Sequence, residues 1–143
     1  MLLVGLGAVM PPCGSAAGAA PALSLSHQDV GHAGVAGSCT QSGGQVQIQG
    51  AGADIWDGAD GFHFAYSPWG GDCQVVARIV SMDPTDPWAK VGVMVRADLT
   101  AGSAHAMIAL APGWGVTFIR RAQPGGRSYD DAWQSMRKIG AGG

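Results

Sequence analysis

The apolar positions of this chain fall into short runs of strand length, separated by Gly, Pro and Asp. Gln45–Gln49 reads QVQIQ, a strict alternation that puts Val46 and Ile48 on one face. Phe62, Phe64 and Tyr66 alternate with His63 and Ala65 and predict a second strand with an aromatic face. Residues 74–80 are apolar after Gln74 except for Arg78, the pattern of a strand buried on both faces. Residues 89–96 (AKVGVMVR) place Val91, Val93 and Val95 on one side and Lys90, Gly92, Met94 and Arg96 on the other. Residues 105–110 and 116–121 predict two more strands. The stretches SPWGGD, TAGS and PGWG between them are turns. SMDPTDPW is irregular, because each of its prolines restricts the residue before it. Short strands joined by short loops predict an antiparallel all-β sandwich rather than βαβ units. Residues 23–37 are polar and Gly-rich with little periodicity. Beyond Gln123 a short helix is expected over 130–139, followed by a Gly-rich tail.

Composition sharpens this. A chain of 143 residues has room for one domain and one core. Charged residues make up 13%, against about 25% in ordinary globular domains, and every acid is Asp: the chain has neither Glu nor Asn. Scarce Glu and Lys beside abundant Gly disfavour helices, and without Asn there is no N-glycosylation sequon. A net charge of −2 excludes nucleic-acid binding by bulk charge. No apolar run is long enough to span a bilayer.

Residues 1–22 read as a signal-like leader. MLLVGLGAVM is apolar, and the small residues of SAAGAAPA suit a signal peptidase around positions 20–22. The first cationic residue is Arg78, so the basic n-region is missing. The expectation is therefore an exported protein, secreted or on the cell surface, whose true start lies upstream. Of the cysteines, Cys13 falls in the leader. Cys39 and Cys73 are then an even pair that export permits to form a disulfide; two buried thiols are the other reading.

The stretch GAGADIW…DGFHFAY…GDCQVVARIVSMDPTDPWAKVGVMVR…HAMIALAPGWGVTFIRR resembles a known family. It is similar to the bacterial extracellular domains related to the regulation-of-enolase protein, which carry a concanavalin-A-like lectin/glucanase jelly roll. DPWAKVGVMVR is the most specific part. The resemblance implies a jelly-roll sandwich over 23–126, after the leader and before a divergent tail at 127–143. Such a domain continues with further strands that complete its two sheets, and 128–143 has no such pattern. The expectation is an incomplete sandwich, one part of a larger secreted or surface protein, with an open apolar face and bare sheet edges.

Three constellations carry candidate chemistry. Trp56, Trp69, Trp88 and Trp114 lie in or beside loops. Exposed indole faces stack on sugar C–H faces, whereas indoles that plug the ends of a core do not. Arg96, His105 and Arg120 interrupt otherwise apolar strands, and antiparallel pairing can bring them together as a ligand-binding face beside Lys90 and Arg78, or as a solvated face. Asp54, Asp57 and Asp60 offer oxygens of the kind Ca²⁺ takes, without any cage pattern. The ligand-binding set expected is thus Trp56, Trp88, Arg96, His105, Trp114 and Arg120, with carbohydrate as ligand. A glucanase of this class works through paired acids, commonly Glu. The chain has none, no nucleophile elbow, and no zinc spacing among His27, His32, His63 and His105. The sequence thus points to a non-catalytic binding module, or to a structural or protein-contact domain without a small ligand.

Overall fold

A computed structural model describes residues 3–6 and 24–131. The strands are β1 (Leu3–Leu6), β2 (Ser26–Val30), β3 (Ser38–Ser42), β4 (Gln45–Gln49), β5 (Ile55–Trp56), β6 (Ala59–Asp60), β7 (Phe62–Tyr66), β8 (Lys90–Arg96), β9 (His105–Ala111), β10 (Gly115–Arg121) and β11 (Tyr129–Asp130). The protein is all-β, and its pairings are antiparallel except at β1.

One seven-stranded sheet runs in the order β11-β10-β9-β8-β1-β7-β2, and β3–β4 and β5–β6 are separate hairpins. β1 lies in the middle, parallel to both neighbours, with Val4 beside His63 on one side and Val91 on the other. Four residues expected in a leader thus join the two halves of the sheet. The rest of that expected leader, including Cys13, lies outside the described residues, as does most of the helix expected over 130–139; Asp130 itself belongs to β11.

Phe62 and Phe64 on β7, Met94 on β8, Met107 and Ala109 on β9 and Ile119 on β10 form the core with Val30 and Ile55. These positions share the front of the sheet, because alternate residues of a strand point the same way. On β8 the consequence runs against composition. Lys90, Gly92 and Met94 are buried, while Val91 and Val93 are half-buried and Val95 is exposed. Charge goes inside because it finds partners there: Lys90 Nζ lies 2.7 Å from Asp54 Oδ1. Gly92 has a second reason, since a Cβ there would run into the carbonyl oxygen of Ile108 on β9.

The back of the sheet is covered only in part. The β3–β4 hairpin lays Ile48, Val46 and Cys39 over Leu25 and Ala65. Behind β8, β9 and β10, in register across the strands, Val93, Ile108 and Phe118 form an open apolar row, and Val116 beside it is 67% exposed. Residues 74–80 do not form the strand their composition predicts. Beyond an isolated bridge at Gln74 they have no ladder, and Val76, Ile79 and Val80 are exposed. A run apolar on both sides needs two covering layers, and here one side is bare while the other, through Val75 and Ala77, is only half-buried.

Candidate functional site

A paired, accessible aromatic surface is built at the end of the sheet where β8 begins and β9 turns into β10, whereas Trp69, equally exposed, stands apart with its Nε1 donating to Asp72 O. Asp86 starts the approach to β8: its carboxylate accepts from the Trp88 amide at 2.7 Å, and its carbonyl accepts from Ala89 at 3.0 Å. Across from it, PGWG forms the tight β9–β10 connection. Trp114 N donates to Ala111 O, and Gly115 takes a positive φ of 73°, where glycine carries no steric penalty. The two loops are joined by Gly113 N donating to Pro87 O at 3.0 Å, and a side chain at Gly113 would strike Pro87. This junction sets the indoles of Trp88 and Trp114 side by side, ring centroids 4.6 Å apart and planes tilted by 31°. Both stay open to solvent, at 53% and 48% exposure. Beneath them Lys90 Nζ also donates to Trp88 O, so the Asp54 pair steadies the platform from the core side.

The basic residues go elsewhere. Arg96 and His105 are opposite each other in the β8–β9 register, and His105 is opposite Arg121 in the β9–β10 register. All three converge on Asp60. Arg121 Nη2 and Nη1 reach its two oxygens at 2.6 and 3.0 Å, Arg96 Nη1 lies at 3.4 Å and His105 Nδ1 at 3.6 Å. Arg121 also donates to the carbonyls of Trp56, Asp57, Ala101, Ser103 and Gly126. This cluster is buried, with Arg121 1% exposed. It stands at the far end of β8 from the indoles, about 20 Å away at roughly 3.3 Å per residue. Arg96 and His105 therefore hold loops to the sheet and do not form the expected ligand face.

Arg120, one position before Arg121, points to the other side of β10. It pairs with Asp131 at 2.6 Å and lies over the Tyr129 ring in solvent. Trp56 packs against the front core instead of opening to solvent. Of the six expected ligand residues, only Trp88 and Trp114 meet on an accessible surface. Arg121 is the residue that sequence reasoning passes over, and Asp60, singled out there for Ca²⁺, is its partner. Strand parity held the signal, since of two adjacent arginines in a strand one must face inward and needs an acid there.

The three aspartates that suggested Ca²⁺ are spent on cations of the chain: Asp54 on Lys90, Asp60 on the arginines, and Asp57 faces Arg127 at 3.9 Å. Among the described residues no group of three or more His, Cys, Asp or Glu is arranged to hold a metal. Cys39 and Cys73 are free thiols rather than the expected disulfide. The first lies under the β3–β4 hairpin over Ala65, and the second borders the open row behind β8 and β9. Burial pushes the Cys39 thiol above its ordinary value, which disfavours the thiolate. No helix among the described residues is long and apolar enough to cross a membrane.

His105 gives the fold a pH signature. Burial holds its imidazole below the ordinary histidine value, with Asp60 opposing the shift. A base whose folded pKa is depressed binds its proton more readily when unfolded. Its contribution is present above about pH 6.5 and is lost as pH falls from there toward the folded value. Urea midpoints between pH 7.5 and 5 should fall, and His105→Gln should flatten that slope. An unchanged slope in the variant would assign the effect to another group.

Compared with known proteins, the chain matches no family model, no curated protein and no solved structure.

Proposed function

We propose that this chain is a non-catalytic, lectin-like binding module that takes carbohydrate on the Trp88–Trp114 pair. The observation that carries this reading is two indoles, each about half exposed, locked together by a loop-to-loop hydrogen bond at one end of a sheet. Core tryptophans would be hidden. Rigid exposed ring faces suit the C–H faces of pyranose rings and lose little entropy on binding. The seven-stranded sheet fits one layer of a concanavalin-A-like jelly roll, and the open row behind β8–β10 fits the place of a missing second layer. On this reading the chain is part of a larger secreted or surface protein. The lack of Glu and the engagement of Asp54 and Asp60 in ion pairs favour binding over hydrolysis.

A glycan array followed by calorimetry tests this. Trp88→Ala and Trp114→Ala should each weaken binding at least tenfold, while melting stays close to wild type because both rings are surface groups. A chain that binds no polysaccharide, or one whose binding ignores both substitutions, defeats the proposal. The open apolar row supports a second reading, a protein-contact domain without a small ligand. In that case Ile108→Ser and Phe118→Ser would alter association while the indole variants would not.

A further inference from the structure

A separate group of titratable side chains sits on the back of the sheet at its β2 edge. The β2–β7 register sets His63 opposite Asp29 and His27 opposite Ala65, so His27, Asp29 and His63 share one face. Asp29 Oδ1 lies 2.6 Å from His63 Nδ1, and His63 Nε2 lies 3.1 Å from His27 Nδ1. The Gly37 amide donates to both oxygens of Asp29, at 3.1 and 3.4 Å. A side chain at Gly37 would run into the His63 imidazole, so only glycine lets the loop close over that ring. His63 is buried and His27 is exposed.

We propose that His27 and His63 form a two-nitrogen chelate for a divalent transition metal of the Zn²⁺ or Ni²⁺ class. Imidazole nitrogens bound in cis to a metal at about 2.0–2.1 Å are roughly 3.0–3.4 Å apart, and the 3.1 Å between these two falls within that span. The tautomer is set as well. Asp29 accepts a hydrogen bond from His63 Nδ1–H, which leaves the Nε2 lone pair free as a ligand, the arrangement of a carboxylate behind a metal-bound histidine, and His27 frees its own Nδ1 lone pair by carrying its proton on Nε2 when the metal enters. The ring beside His63 Nε2 is that of exposed His27 on an edge strand, and a small swing of it lets a cation in from solvent. Among the described residues no third protein ligand is at hand, so water fills the remaining positions, and affinity should follow the order Ni²⁺ below Cu²⁺ and above Co²⁺. The site lies away from the indole pair and does not depend on the sugar reading.

Calorimetric titration of the full chain with Zn²⁺ or Ni²⁺ alone tests the chelate. One equivalent should bind, and His27→Ala should weaken it at least tenfold without shifting the melt, because His27 is exposed. Asp29→Asn should lower affinity by roughly 10–100-fold and change the ¹⁵N tautomer signature of His63 in the metal-free chain. Absence of uptake, or uptake that His27→Ala leaves unchanged, overturns the proposal: the three groups would then be a hydrogen-bond chain, with any bound metal held elsewhere.

Discussion

Asp60→Ala should lower the stability of the fold by about 3–5 kcal/mol, the largest loss expected of any single substitution in the sheet. Among the described residues its carboxylate is the buried acid on which Arg121, Arg96 and His105 converge, and its oxygens lie 2.6 and 3.0 Å from the Arg121 guanidinium. Removing one partner from a buried pair costs about 3–5 kcal/mol, because the other charge stays behind without compensation. Small domains hold only about 5–15 kcal/mol in total, and this one stabilises a single main sheet with half its back open. Arg121 also ties five carbonyls from the loops before β6, before β9 and after β10, so its displacement would loosen three connections together. Asp60→Asn keeps the shape and loses the charge, and should fall between. Arg120→Ala, one residue away but in solvent, should change stability by less than about 1 kcal/mol. Urea denaturation of the four chains decides the matter. If Asp60→Ala melts with wild type, the cluster does not hold the fold.

The second large effect is expected at β1. In the described sheet β7 and β8 never pair with each other, and β1 alone supplies the ladder between them. Gly5, beside Phe64 and Gly92, is at the centre of that ladder. Gly5→Pro removes a donor and places a proline in a central strand, where it is not tolerated. A buried carbonyl left unpaired costs roughly 1–3 kcal/mol, a factor of about ten or more in local opening. Amide exchange at 62–66 and 90–92 should therefore accelerate together, whereas β9–β10 amides keep their protection. Equal protection in the two chains would show that the halves hold together without this strand.

Strand positions were legible because alternation is local. QVQIQ, FHFAY, KVGVMVR and GVTFIRR each show their period within a few residues, and each forms a strand close to its predicted bounds. Which face turns inward was not legible. The valines of β8 look like core, yet Lys90 and Arg96 take the inside because Asp54 and Asp60, more than thirty residues earlier in the chain, wait there. Residues 74–80 failed for the same kind of reason: composition proposes a buried strand, but only a second layer can bury it. SHQDV and SCTQS formed strands without apolar periodicity, since one borrows its order from β7 and the other from β4. At the candidate site, loop position suggested Trp88 and Trp114, but the Gly113–Pro87 junction that brings them together depends on three-dimensional closure and leaves no trace in spacing.

The central place of Leu3–Leu6 also sets an order of events. Their neighbours in the sheet lie about sixty and ninety residues further along the chain. Contacts of such long separation must await closure of large loops and form slowly. Until then β7 and β8 each present a bare edge, the condition in which strands pair with the wrong chain. The strand at the middle of the sheet is thus the last to find its seat, and yield on refolding should drop steeply with protein concentration.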